Sequence, residues 1–194
     1  VKHQYFGDVN DYRKYGLLRK LRSHSGLRLG VCWMLTANDG RGDGKFISYL
    51  AQPRKWRSHD PDLYDRLATA ISDRRHLDSV HEHNLLPEAV LVDALVPDKR
   101  QERAACAATA LSRLTDADLI FFDPDNGLEI PSRPAGRKNS SKYLMWSEVR
   151  NTYANCKSIL IYQHFRREER GAFISRVAKE LRALTDCYSV SCFR

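Results

Sequence analysis

The hydrophobic pattern divides the chain into short apolar runs that alternate with longer amphipathic or polar segments. The runs carry little polar alternation, which is typical of strands buried on both faces of a parallel sheet. They lie at 27–35, 89–93, 119–122, 158–162 and 188–193, the last of which is expected to be an edge strand. Helical segments are predicted at 8–23, 45–50, 60–73, 98–114, from 147 onward and at 168–184. Strands separated by helices predict an α/β fold, a single domain over residues 1–194 with a doubly wound, mostly parallel sheet.

Local chemistry marks the starts of three of these helices. Asp60-Pro61 combines an N-cap residue with a proline at the first helical position. Asp8 or Asn10 can cap the first helix, and Asp98 is predicted to open the alanine-rich helix that follows it.

Polar side chains follow four of the predicted strands. If the strands are parallel, their carboxyl ends meet at one edge of the sheet, where open α/β sheets bind ligands. The residues at these ends are Thr36-Ala37-Asn38-Asp39, Asp93, Asp123-Pro124-Asp125-Asn126 and Gln163-His164. The sequence therefore predicts a ligand site or an active site along this edge.

The segment after the run 119–122 is the most informative of the four ends. Pro124 cannot donate to a strand ladder and Gly127 permits unusual backbone angles, so the strand ends there. Two carboxylates and an amide, those of Asp123, Asp125 and Asn126, are thereby placed at the predicted edge. The same residues also form an ordinary turn sequence, so a purely structural role stays open.

Charge and composition favour a polyanionic partner. The formal net charge is +8 and the hydrophobic fraction is 42%, which is typical of a basic globular protein. Basic residues alternate with aromatic residues in several clusters, as in surfaces that contact phosphates and stack on bases. The positions expected to contact nucleic acid, DNA or RNA, are Arg137, Lys138, Lys142, Arg166 and Arg167.

Cysteine usage and hydropathy bear on the compartment. The 5 cysteines are scattered and form no Cys-x-x-Cys pair, so neither a zinc site nor a disulfide framework is indicated. No apolar stretch approaches the ~20 residues that a membrane helix needs. The expectation is a cytoplasmic protein without a membrane partner.

Three segments carry a resemblance to a known family. Gly7-Asp8-Val9-Asn10-Asp11-Tyr12-Arg13-Lys14 resembles the Gly-x-x-x-Asp-x-x-Lys segment of ribosomal-RNA adenine-amino methyltransferases. Asp123-Pro124-Asp125-Asn126 resembles the Asp-Pro-Pro-aromatic motif of the same Rossmann-like class, and the 36–44 segment takes the place of its glycine-rich loop. The chain is also similar to a bacterial and phage family that shares Asp-Pro-Asp-Asn-Gly and Tyr-Gln-His-Phe segments, a likeness that implies no activity.

The methyltransferase resemblance implies a cofactor and a division of roles. S-adenosylmethionine would be held by Lys14, Asn38, Asp39, Gly40, Gly42 and Asp93. Asp123 and the Pro124 carbonyl would hold the target amino group, and Asp125, Asn126 and His164 would complete the catalytic edge. The motif departs from the family where Asp125 replaces its second proline and Asn126 its stacking aromatic residue.

Two other functions remain open from the residues alone. Asp123, Asp125 and Glu129 are oxygen ligands of the kind that bind Mg²⁺ or Mn²⁺, which suggests a metal-dependent nuclease or phosphotransferase. In that reading His164 or a nearby lysine would assist proton transfer. The second is a nucleic-acid-binding module that keeps the fold without catalysis.

Overall fold

The sheet is parallel throughout. The computed structural model describes residues 1–38, 40, 46–155, 157–165, 167–186 and 189–193. Its strands are β1 (Leu29–Cys32), β2 (Val90–Val92), β3 (Leu119–Phe122) and β4 (Ser158–Ile161), in the spatial order β2-β1-β3-β4. Each neighbouring pair runs in the same direction. The predicted α/β class with a parallel, doubly wound sheet of Rossmann-like type is confirmed.

Seven α-helices within the described residues accompany the sheet. They are α1 (Val9–Ser25), α2 (Pro53–Trp56), α3 (Pro61–Asp73), α4 (Ser79–Glu82), α5 (Arg100–Arg113), α6 (Trp146–Ala154) and α7 (Arg170–Thr185). None of these helices has the length and apolar character needed to cross a membrane.

Side-chain alternation along the strands builds a core on each face of the sheet. Val31 and Phe121 face one side, where they pack with residues of α1 and α3 such as Leu18 and Leu67. Ile120 points to the opposite face of the sheet. It belongs to a second core, which residues of α6, α7 and the end of α5 complete. Helices therefore cover both faces, as the buried apolar runs require.

The strand order creates a point where the winding of the chain reverses. From β1 the chain moves to β2 on one side, and it then crosses back to β3 on the other side of β1. Ligands of open α/β sheets bind beyond the carboxyl ends of the strands at such a reversal. The carboxyl ends of β1 and β3 therefore mark the first place to look for a site.

Two of the three predicted helix starts are confirmed. The Asp8 carboxylate accepts from the backbone amides of Asn10 and Asp11, and Asp60 accepts from that of Leu63. The prediction for Asp98 is wrong, since α5 begins at Arg100 and its N-cap residue makes no side-chain cap bond. Asp98 instead accepts from the amides of Asn139 and Ser141, both at 2.8 Å, and so holds the loop that follows β3.

The predicted fifth strand is also not formed where the structure describes it. Residues 189–193 carry no ladder partner and are mostly exposed, and Tyr188 lies outside the described residues. A strand requires a neighbour for its backbone groups, and the apolar pattern alone does not supply one. The short helix predicted at 45–50 is a 3₁₀ turn at Ser48–Ala51, and Lys45 lies outside the described residues.

We predict opposite effects for alanine at two glycines of this fold. A Cβ at Gly30 in β1 would lie 2.6 Å from Leu114 Cδ2 and 3.0 Å from Ala117 Cβ, so Gly30→Ala should lower the free energy of unfolding. Overpacking of this kind costs about 1–3 kcal/mol.

At Gly16, inside α1, a Cβ would meet only Leu63 Cδ2 at 3.8 Å, and Gly16→Ala should raise stability by about 0.5–1 kcal/mol.

Urea denaturation of the two variants and the wild-type protein measures both effects. A Gly30→Ala protein as stable as wild type would contradict the close approach of α5 to β1.

Candidate active site at the carboxyl ends of the strands

A buried ionic cluster joins α1 to the end of β3. Lys14 Nζ lies 2.6 Å from Asp123 Oδ2 and 2.8 Å from Asp11 Oδ1. The three side chains are nearly inaccessible, with exposed fractions of 9% for Lys14 and 3% for each carboxylate. Lys14, which is predicted to bind the cofactor, thus contacts Asp123, which is predicted to be catalytic and lies 109 positions further along the chain.

The Gly7–Lys14 segment is built to present this lysine. Gly7 adopts a φ of 79°, and its amide donates to Asp11 Oδ2 at 2.9 Å. Asp8 caps α1, and the spacing of three residues places Asp11 and Lys14 on the same side of the helix. The ring of Tyr162, directly after β4, lies under the ammonium group at 4.9 Å.

The protonation of the cluster follows from its charges. Burial acts to lower the pKa of Lys14, but Asp11 and Asp123 outweigh it and raise that pKa well above its ordinary value. Burial raises the pKa of Asp11 to about 6; the charges of Asp8 and Asp123 add to this rise and Lys14 opposes it. One ammonium cannot neutralise two carboxylates, so Asp11 binds a proton more readily than an ordinary aspartate as the pH falls.

The chain's own first residues lie over the ends of β1 and β3. The nitrogen of Val1 contacts the carbonyl oxygen of Met34 at 3.0 Å and lies 3.0 Å from Asp125 Oδ1. The Val1 contact is thus an ion-pair distance at Oδ1, while Oδ2 accepts from the Thr36 hydroxyl at 2.7 Å. Val1 and Lys2 are only 5% and 3% exposed, so they fill the crevice where the winding reverses.

The remaining predicted catalytic residues surround this crevice. Pro124 is buried and Asn126 is exposed, with the Asn126 amide donating to the carbonyl of Lys142 at 2.9 Å. His164 reaches solvent beside Tyr162, their ring centroids 5.0 Å apart. Desolvation by the surrounding protein lowers the pKa of the His164 imidazole, against the opposing charge of Asp123.

Gln163 locks the turn after β3 to the end of β4. Its Oε1 accepts from the amide of Leu128 at 2.8 Å. Gly127 has a φ of 92°, and a Cβ there would lie 2.3 Å from Gln163 Nε2. Glycine is therefore required for both the turn and this contact.

The predicted cofactor residues are only partly brought together. Lys14 lies in the ionic cluster, while Asp93 follows β2 as an exposed carboxylate whose charge acts on His3. Asn38 and Gly40 follow β1 and are exposed. Asp39 and Gly42 lie outside the described residues, so the glycine-rich loop is placed only in part.

The predicted nucleic-acid contacts are mostly exposed. Arg137, Lys138 and Arg167 are exposed, and Lys142 is half-buried beside Asn126. Arg166 lies outside the described residues.

The structure does not assemble the alternative metal site. Within the part of the chain that is described, no three His, Cys, Asp or Glu side chains are grouped so that they could hold a metal ion. Glu129 instead accepts from the backbone amide of Trp146 at 3.1 Å and thereby holds the start of α6. Asp123, Asp125 and Glu129 therefore do not form a common set of ligands.

Among the expectations from sequence, Asp11 stands in the Gly-x-x-x-Asp-x-x-Lys segment and Thr36 at a strand end, both without a partner, and Tyr162 has no part in this region. Asp11 carries a usable signal, because an acid three residues before a lysine on a capped helix predicts an ion pair. The contacts of Thr36 and Tyr162 join distant segments and have no local signature.

The chain was compared with protein-family models, with curated proteins and with solved structures, and it matches none of them.

We predict that Lys14→Met strongly destabilises the protein at neutral pH. The change leaves the buried carboxylates of Asp11 and Asp123 without their counter-charge, and breaking a buried pair costs about 3–5 kcal/mol. Lys99→Met is the matched control, because Lys99 also pairs with an acid three residues away, Glu102 at 2.9 Å, but is 81% exposed. That exposed pair should contribute little to stability, because water screens it. Equal losses for the two variants in denaturant titration would show that the cluster is not a buried ionic constraint.

We predict an unusually high titration midpoint for Asp11. Carbon-13 carboxyl shifts should place its pKa at about 6, against a lowered pKa for Asp118, whose carboxylate accepts side-chain hydrogen bonds from Arg28. Because the folded state binds this proton more tightly than the unfolded chain, the contribution of Asp11 to stability is complete below pH ~4 and is lost as pH rises through about 6. A midpoint near the ordinary aspartate value would mean that Lys14 outweighs burial at this carboxyl.

Proposed function

We propose that the chain modifies nucleic acid by transferring a methyl group from S-adenosylmethionine to a base amino group. The observation that carries the proposal is the order β2-β1-β3, whose strands are followed by Asp93, by Asn38 and by Asp123 in turn. An acid that can bind a ribose hydroxyl and an acid that can accept from an amino group then flank the point where the winding reverses. Exposed Arg137, Lys138 and Arg167 are available for phosphate contacts.

The residues of the cluster fit the part of the amino-group acceptor. Lys14 Nζ lies 2.6 Å from Asp123 Oδ2, so one oxygen of this carboxylate is already held in place, and a carboxylate accepts from an amino group more strongly than a neutral acid does. The carbonyl of Pro124 would accept a second hydrogen bond and orient the amino group. S-adenosylmethionine supplies the activated methyl group when bound, and the protein's part is mainly to position the two reactants.

Access to this acceptor requires a change at the crevice. Asp123 is 2% exposed, and Val1 and Lys2 lie over the strand ends. A base amino group can therefore contact Asp123 only if these first residues are displaced. Asp93, which is exposed, needs no such change to bind a ribose hydroxyl.

Calorimetry with S-adenosylmethionine tests the proposal. We expect binding to the wild-type protein and a loss of about 10–100-fold in affinity for Asp93→Asn, the effect of weakening a hydrogen bond to a charged group. Asp116→Asn, another exposed acid, should bind like wild type. Transfer of a labelled methyl group to RNA or DNA should be lost in Asp123→Asn. No binding of the cofactor, or equal binding by the two acid variants, would overturn the proposal.

A second candidate, a nucleic-acid-binding module without catalysis, is favoured by the filled crevice. In such a module the ionic cluster would only fix α1 on the sheet. Exposed Arg137, Lys138 and Arg167 would supply the affinity for nucleic acid. The affinity for single strands and duplexes, measured at several salt concentrations, distinguishes the two. Salt-sensitive binding without binding of S-adenosylmethionine supports the module.

A further inference from the structure

A cavity lies on the face of the sheet opposite the ionic cluster. Its floor is formed by the last residues of three strands, Cys32, Val92 and Phe122, and its walls by α5 and α6. Its volume is about 350 Å³. Small-molecule sites begin at about 300 Å³, whereas a close-packed core leaves few voids larger than one water molecule.

The cavity exists because α5 is rich in alanine. Ala104, Ala107, Ala108 and Ala110 line it, and Arg103 is the only buried residue of this helix. Small side chains keep the helix from filling the space above the sheet. An apolar space of this kind offers water few hydrogen bonds, so an organic molecule is its better occupant.

The two charged residues that lie deeper in the lining, Arg103 and Glu148, are paired with each other, and the exposed Arg100 donates to a backbone carbonyl. Arg103 Nε lies 2.7 Å from Glu148 Oε1, and the same guanidinium donates to the carbonyls of Ser140 and Tyr143 at 3.0 and 2.6 Å. Arg100 donates to the carbonyl of Ala135 at 3.3 Å. An ionised group that enters the cavity beyond the exposed Arg100 would therefore lie among apolar side chains and an ion pair that is already complete.

Two polar side chains can orient a neutral ligand. Ser147 and Asn151 line the cavity from α6 and stand one helical turn apart on the same side of that helix. They offer a hydroxyl and an amide to a ligand with one hydrogen-bonding group.

We propose that this cavity is a binding site for a small, neutral, largely apolar molecule, such as an aromatic ring with one hydroxyl group. The site is separate from the edge that carries Asp93 and Asp123. Val92 and Ala94 both line the cavity, so Asp93 between them projects to the other face.

Calorimetry of the full chain at pH 7 with two probes of the same shape tests the proposal. The neutral 2-naphthol should bind, and the anionic 2-naphthoate should bind at least about tenfold more weakly because its charge would have to leave water for the apolar part of the cavity. Bound 2-naphthol should also protect the half-buried Cys106, which lines the cavity, from alkylation measured by peptide mass spectrometry. Failure of 2-naphthol to bind, or equal binding of the two probes, would overturn the proposal.

Matched substitutions on α5 locate the binding. Ala107→Leu places a larger side chain in the cavity and should weaken 2-naphthol at least about tenfold. Ala105→Leu, on the exposed side of the same helix, should bind like wild type. If Ala107→Leu does not fold, Ala104→Leu at the exposed rim provides the same test. Equal effects at positions 105 and 107 would overturn the location.

The test of the cavity site can fail or succeed independently of the test of the proposed methyl transfer. Displacement of 2-naphthol by S-adenosylmethionine would overturn the separation of the two sites. Binding of 2-naphthol without competition supports the cavity site whether or not methyl transfer is observed.

Discussion

The buried pairing of Lys14 with Asp11 and Asp123 is the constraint on which the carboxyl edge of the sheet depends. Each of these charges is costly to bury alone, and the three become tolerable only together. The first helix must therefore lie where its sixth residue, Lys14, meets the end of β3, and β3 must end where Asp123 meets that lysine. The cap at Asp8 and the bent backbone at Gly7 serve the same arrangement, because they fix where the helix begins.

This fixed edge contrasts with the opposite face. Around Asp123, which is itself buried, the residues Val1 and Lys2 are buried and the ring of Tyr162 contacts Lys14. Above the other face, the alanines of α5 leave a cavity that the sheet and α6 enclose. One face is thus organised by charge and close packing, and the other by side chains too small to fill the gap between layers.

The strands and most helices could be predicted because their signals are local. Continuous apolar runs located all four strands, and Asp60-Pro61 located the start of α3. Asp98 failed as a cap because the amides that it accepts from, at Asn139 and Ser141, lie in a loop some 40 residues away. The last apolar run failed because a strand also needs a partner, which no pattern within the run reveals.

The contacts of the candidate site also fall into those that the local sequence predicts and those that tertiary packing decides. Asp11 with Lys14 could be inferred from their spacing, and the meeting of polar strand ends at one edge follows from parallel strands alone. The pairing of Lys14 with Asp123 depends on where α1 lies across the sheet, which tertiary packing decides. The same pairing holds Asp123, the proposed acceptor of the base amino group, in a position that is only 2% exposed. Whether the edge catalyses or only binds therefore depends on how readily Val1 and Lys2 leave the crevice above it.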